Sequence, residues 1–401
     1  MPSHSRSLFR WREIPGSVWA LGLVSMFMDI SSEMIHALLP LYLVSVLGAS
    51  TLTVGVIEGI AEATASITKV FSGALSDYLG KRKWLAALGY GLAAVTKPVF
   101  PLANSIGWLT AARFIDRIGK GIRGAPRDAL IADLTPADLR GNAFGLRQSL
   151  DTVGAVLGPS LAAVFMAAFA DNFSTVFWIA VIPAFFSVAL IVIGVHEPER
   201  RLGLRKVRAP LSGREFARLS RVYWMIVVVA AIFTLARFSE AFLLLRAQSV
   251  GMPLAVVPAV LVVMNIAYMF TAWPAGVLSD RLGRYGVITV GFALLVLADL
   301  SLAIGGGIAV VMVGVVLWGL HMGLTQGLFS ALVADTAPEE LRGTAFGVFN
   351  LVSGIAMLAA SIIAGWLWDI AGPVGTFLAG AAFTAIALAA LPFVRWKAKR
   401  S

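Results

Sequence analysis

The chain has 401 residues, 59% of them hydrophobic and 13% charged, with no cysteine and a formal net charge of +10. That much apolar surface exceeds what a water-soluble domain can hide, so the composition places the chain in a lipid bilayer. Zero cysteines excludes disulfides and thiolate metal sites, and the basic residues are scattered over connections instead of forming the patch a nucleic-acid partner requires.

Apolar stretches long enough for a helix rising about 1.5 Å per residue to cross about 30 Å of hydrocarbon recur along the chain. They read as 12 transmembrane helices, at 16–47, 51–76, 84–103, 106–131, 141–169, 174–195, 222–247, 253–279, 286–305, 308–335, 342–368 and 373–394. Nothing alternates with the two-residue period of a barrel, so the expected class is an all-α membrane protein. The first apolar run is too long for a cleaved signal and lacks a small-residue cleavage site, which predicts that it stays as the first span.

Arg6, Arg10 and Arg12 precede the first span, Lys81, Arg82 and Lys83 follow the second, Arg140 follows the fourth, and Arg395, Lys397, Lys399 and Arg400 close the chain. The intervening connections near 48, 104, 171 and 304 carry no Lys or Arg. By the positive-inside rule both termini are cytoplasmic, and the expected home is a cell (inner) membrane. The one long polar interval, "HEPERRLGLRKVRAPLSGREFARLSR" from His196 to Arg221, divides the chain into an amino-terminal six-helix bundle (1–195), a cytoplasmic linker (196–221) and a carboxy-terminal six-helix bundle (222–401).

Two phrases occur twice. "GALSDYLGKRKWL" starts at Gly73 and "GVLSDRLGRYG" at Gly276; "ADLTPADLRGNAFG" starts at Ala132 and "ADTAPEELRGTAFG" at Ala334. Both pairs are separated by about half the chain, which predicts a duplication, two halves of the same topology related by a pseudo-two-fold axis. The first pair is expected in the short turn between the second and third helices of each half. There glycines permit close approach, the Asp sits near a helix terminus and the bases meet carboxylates or lipid headgroups, which together make a latch.

Ionisable residues inside the spans cost at least about 2.5–3.5 kcal/mol each on insertion scales, so they mark partners, water or a solute route. Asp29, Glu33 and His36 make one stripe on the first helix, and Glu58, Glu62 and Lys69 one on the second. Arg113, Arg117, Lys120 and Arg127 make a basic stripe on the fourth with Asp116 beside it, and Arg147 and Asp151 are one turn apart on the fifth. The acidic and basic stripes are expected to face each other. The second half offers less: Arg237, Glu240 and Arg246, then Asp299, His321 and the neutral Asn265, Gln326 and Asn350. Proton coupling is therefore expected mainly in the first half. Lone His36 and His321 and the methionines Met26, Met28 and Met34 are explained by local bonding and packing, so no metal and no cofactor is expected.

At these residues the chain resembles the major facilitator superfamily over its whole length. The loop with Gly73, Asp77, Gly80, Lys81 and Arg82 is similar to the superfamily's signature cytoplasmic loop, departing at Tyr78; Gly276, Asp280, Arg281, Gly283 and Arg284 repeat it, departing at Tyr285. The resemblance implies a gating role for this loop, with Asp77 associated with Asp128 at the inner end of the fourth helix. "GLRQSLDTVGAVLGPSLAA", with Gly145, Gly154, Gly158 and Pro159, resembles the fifth-helix element of proton-coupled exporters, Ala162 and Ala163 replacing its final glycines. In "RIGKG", Arg117 matches an arginine tied to proton transfer, with Lys120 where Gln is usual.

The expected function is secondary active transport: a proton-coupled antiporter, working as a monomer, that exports a small organic molecule by rocker-switch alternating access. An abundant cationic lining favours an anionic or zwitterionic cargo. The alternatives are a proton symporter importing an organic anion, or a transporter of a metal or metal chelate. No HExxH, GxSxG or GxxxxGK[ST] motif occurs, so an enzyme is not expected. Asp77→Asn should impair switching and leave membrane insertion intact. Transport assayed beside the amount of inserted protein checks this, and wild-type flux would remove the latch role.

Overall fold

The computed structural model describes residues 13–79, 81–136, 138–197, 218–338 and 341–398, apart from the side chains at 74, 77, 273, 276, 277, 280–282 and 343. Among the described residues there are thirteen helices. They are α1 Gly16–Ser45, α2 Thr51–Leu79, α3 Arg82–Thr96, α4 Val99–Leu102, α5 Ile106–Leu134, α6 Arg140–Ala168 and α7 Phe173–Gly194, then α8 Arg221–Ala236, α9 Ala241–Ser249, α10 Ala259–Leu282, α11 Arg284–Ile304, α12 Ile308–Thr336 and α13 Arg342–Ala398. Hydrocarbon offers no partner to a peptide group, so an apolar segment must close its hydrogen bonds internally. Eight helical stretches are long and apolar enough to cross a membrane by length and composition. α2 and α5 are not among them, because Glu58, Glu62 and Lys69, and the basic stripe of α5, lower their hydropathy.

Two breaks depart from the uninterrupted spans expected. α3 stops before Lys97–Pro98, where the proline supplies no amide donor, and α4 completes the stretch. The expected span 222–247 is divided: α8 ends at Ala236, α9 starts at Ala241, and residues 237–240 leave the helix. Within α13, Gly372 has φ 67° and ψ −172°, which redirects the chain just before Pro373, between the spans expected at 342–368 and 373–394.

The duplicated phrase is also placed differently from expectation. Its first copy is helical through Leu79 and its second through Leu282, so the phrase ends α2 and α10 and only its last residues turn. In the second copy that turn is one residue, Gly283 at φ 74°. Gly80, and the side chains of Asp77, Asp280 and Arg281, lie outside the described residues, as does Gly276 beyond its place in α10.

Just beyond each copy the same bond recurs. Arg82 Nη1 donates to the Ala129 carbonyl at 3.0 Å and to Asp133 Oδ2 at 2.6 Å. Arg284 Nη1 donates to the Ala331 carbonyl at 2.9 Å and meets the Asp335 carboxylate. Each arginine at a helix start is thus pinned to the carboxy-terminal turn of the long helix beside it, α3 to α5 and α11 to α12, where the carbonyls attract a cation. The motif aligns Lys81 with Arg284, yet it is Arg82 that makes the equivalent contacts. These pins lie within one group of helices, not between groups.

α1 packs on α6 and α7, and α5 on α2 and α3. In the second part α12 packs on α10 and α11, and α13 on α8 and α11. The helices before and after the 198–217 interval meet mainly through α2 with α13 and α6 with α10, and more lightly through α1 with α9. At the end where α2 begins the contact is specific. The Asp369 carboxylate of α13 accepts the amides of Thr51 and Leu52, both at 3.1 Å, and the Thr51 hydroxyl, so it caps α2 from across the interface. Gly365 lies below it against Thr51 and Leu52, where a side-chain carbon would fall 2.5 Å from the Thr51 carbonyl. Gln248 Nε2 donates to Ser45 Oγ at 2.9 Å at the same end.

Asp369→Ala removes the cap and should weaken this closure by about 0.5–2 kcal/mol. Because the chain has no natural cysteine, one introduced at Leu52 reports it: labelling by a membrane-impermeant maleimide should rise roughly five-fold, a factor equivalent to about 1 kcal/mol. Unchanged labelling would show the cap to be incidental.

Candidate functional site: a charged cavity between the helix groups

Two adjoining cavities occupy the middle of the molecule. The first, about 250 Å³, is lined by Glu33 and His36 of α1, Glu62 of α2, Arg117 and Lys120 of α5, Ala155 of α6, Ser239 and Glu240 of the α8–α9 break, and Asn265 of α10. The second, about 370 Å³, shares Glu33, Glu62, Lys120 and Ala155 and adds Asp29, Ala65, Ser66, Lys69, Arg123, Gly124, Arg127 and Asp151. Only the first reaches the second group of helices. It does so because the chain leaves the helix at 237–240, bringing Ser239 and Glu240 to the cavity wall.

The stripes of α2 and α5 meet face to face. Arg113 Nη2 lies 2.8 Å from Glu58 Oε2, both fully buried, and Arg117 Nη1 lies 3.2 Å from Glu62 Oε1. His36 Nδ1 is 3.2 Å from Arg113 Nη2 and 3.5 Å from Arg117 Nη2. Guanidinium nitrogens only donate, so Nδ1 accepts and the ring proton is assigned to Nε2. Behind them Lys97, 1% exposed, holds Asp116 Oδ1 at 2.9 Å and Ser32 Oγ at 3.0 Å. Asp116 Oδ2 in turn faces Arg117 Nε at 4.0 Å.

Further along α5, Arg123 stands over the Tyr90 ring at 4.7 Å and reaches Asp29 at 3.6 Å. Arg127 lies 3.1 Å from Asp128 and 3.9 Å from Asp151 and donates to the Ser25 hydroxyl. Arg147 bridges Asp128 at 3.2 Å and Asp151 at 3.4 Å. Asp128 thus accepts from two arginines. Its association with Asp77 falls outside the described side chains.

The cationic lining expected from the sequence is therefore largely consumed. Arg113, Arg117, Arg123, Arg127 and Arg147 all have carboxylate partners. Among the described residues that line the two cavities, Glu33, Glu240, Lys69 and Lys120 are the charged groups with no ion-pair partner within 4 Å. Arg237 lies at the break, 5.7 Å over the Phe233 ring, without lining either cavity. Asp299 and His321 are fully buried in the second group and line neither cavity.

The glycines of α6 explain how the acids are held. A side-chain carbon on Gly154 would fall 2.9 Å from Asp29 Cβ, and one on Gly158 would fall 2.6 Å from Glu33 Cβ. Two bare positions one turn apart let α1 lie directly on α6 at the residues that carry its carboxylates. Pro159 follows within α6, while Gly145 has open space around it and contributes no such contact. Lys97, Arg123, Ser239 and Asp369 were not singled out by sequence. Lys97 alone had a signal, a lone charge before a proline in an apolar run.

The chain matches the Major Facilitator Superfamily over residues 21–361. It is 34% identical to an uncharacterised MFS-type transporter of Methanocaldococcus jannaschii across 391 residues, 96% of each chain. It is 26% identical to the quinolone resistance protein NorA of Staphylococcus aureus over 199 residues, 49% of this chain and 48% of that one. The crystal structure of nucleoside transporter NupG superimposes with a TM-score of 0.75 at 13% identity, covering 95% of this chain and 98% of that one, a likeness of fold.

Lys97→Met should strand the Asp116 carboxylate in the interior and destabilise the protein by about 3–5 kcal/mol, whereas Lys97→Met with Asp116→Leu should recover most of the loss. Unfolding of the purified variants in detergent measures this. Equal loss in the single and double variants would refute the pairing.

Proposed function

The chain belongs to the Major Facilitator Superfamily, and from that premise we propose that it is a proton-coupled antiporter exporting a small organic molecule. A multi-pass membrane transporter and not an enzyme, it takes a small-molecule substrate. In the proposed cycle two six-helix bundles, 1–195 and 222–401, rock about the cavity between them, in an inner membrane with both termini in the cytoplasm.

One observation carries the proton reading. Glu33 lines both cavities and has no ion-pair partner within 4 Å, whereas Asp29, one turn away, is engaged by Arg123. A carboxylate that must break no bond to accept a proton is the better carrier. Lys120 lines the same two cavities, and Glu240 of the other bundle faces the first of them, so rocking of that bundle changes which side's water and which charges Glu33 meets. Gly158 fixes Glu33 against α6, so movement of α6 is passed to the carboxylate without slack. Partial similarity to a protein named for quinolone resistance supports a small organic cargo.

In sealed proteoliposomes an imposed acid gradient should drive solute flux, and candidate solutes should collapse the gradient. Glu33→Gln should abolish proton-driven flux at least ten-fold while sparing solute exchange, and Asp29→Asn should do less. Flux indifferent to the gradient in the wild type would overturn the antiporter reading; full coupling in Glu33→Gln would move the carrier elsewhere.

A further inference from the structure

The unpaired charges of the cavities describe the cargo. Their combined lining holds five carboxylates, Asp29, Glu33, Glu62, Asp151 and Glu240, and five bases, Lys69, Arg117, Lys120, Arg123 and Arg127. The formal sum is zero. A cargo of one sign entering this confined space leaves an uncompensated charge, while one carrying both signs does not.

The four unpaired groups are also ordered. Glu240 belongs to the first cavity alone, Glu33 and Lys120 to both, and Lys69 to the second alone. The conduit is thus acidic at the end formed by the second helix group and basic at the other. Neutral hydrogen-bonding groups accompany Glu240: Ser239 and Asn265 line the same end, and Asn265 spends one amide proton on the Ala155 carbonyl at 3.0 Å.

We propose that the cavity is a receptor for a small zwitterion, its cationic group at Glu240 and its anionic group at Lys120. This rests on the transport reading above and names the cargo class of that site. The α8–α9 break then has a recognition role, because it is what brings a carboxylate of the second group opposite Lys120. Lys69 prolongs the basic side along the conduit and offers the anionic group a second station. Glu33, left over when Lys120 and Glu240 are engaged, stays available for the proton. The cavity volumes of about 250 and 370 Å³ suit a molecule of amino-acid to dipeptide size.

The test is equilibrium binding to purified protein in nanodiscs, with no gradient. The probes are free amino acids and dipeptides, each compared with its methyl ester, a monocation, and its N-acetyl derivative, a monoanion. The best zwitterion should bind at least ten-fold more tightly than either derivative. Glu240→Gln should erase the margin over the N-acetyl compound, and Lys120→Gln the margin over the ester. Lys120→Arg should keep both margins, which separates charge recognition from folding, and unliganded melting temperatures of the variants control for stability. An ester or N-acetyl derivative binding as tightly as its parent overturns the proposal, as does a panel in which no zwitterion binds. Because no flux is measured, a negative result here leaves proton-driven flux untouched, and loss of coupling in vesicles leaves this binding order untouched.

Discussion

The arrangement depends on compensating charge inside a hydrophobic molecule. α5 carries a row of bases through the middle of the first helix group, and each guanidinium on it is matched from a neighbouring helix: Arg113 and Arg117 from α2, Arg123 from α1, Arg127 from α6 and from its own neighbour Asp128. An isolated charge there would cost several kcal/mol, so these matches dictate which faces of α1, α2 and α6 turn inward. The cavity forms where the matching stops. Glu33, Lys120 and Glu240 surround it without ion-pair partners of their own, and that incompleteness gives a solute or proton something to bind.

Around this set the backbone is shaped by absence of side chains as much as by their presence. Gly154 and Gly158 let α1 lie on α6 at its carboxylates, and Gly365 lets α13 lie on the first turn of α2. The Asp369 cap joins the two helix groups at one end. The Arg82 and Arg284 pins sit at the other, each inside its own group. Among the described residues the polar links between the groups include the Asp369 and Thr51 contacts, the Gln248–Ser45 bond and the Asn265–Ala155 bond, and the proposed cycle can exchange such links without disturbing the interiors.

Much of this was legible beforehand. Helical spacing placed Glu58 with Glu62 and Arg113 with Arg117 on single faces, and the cost of bare charge implied that those faces would meet partners. The repeated phrases identified corresponding loops, although they end α2 and α10 in place of forming the turns, and the equivalent bond is made one position later than the motif alignment implies. Less was legible wherever a contact joins distant segments. Lys97 with Asp116 and Ser32, Arg123 with Asp29, and Asp369 with Thr51 leave no periodic trace, since each depends on how helices cross and not on spacing within one. The α8–α9 break was missed because its sequence holds neither proline nor glycine.

By itself the sequence determined the membrane habit and the helical class, which follow from composition and period, and the duplication, which follows from the repeated phrases; the superfamily came from the resemblance those motifs carry. The tertiary structure decided which charges remain free. A count of bases had pointed to a cationic lining, but whether an arginine faces solute or a carboxylate depends on distances of a few ångströms between helices far apart in the chain, and pairing energy in a medium without water depends on those distances.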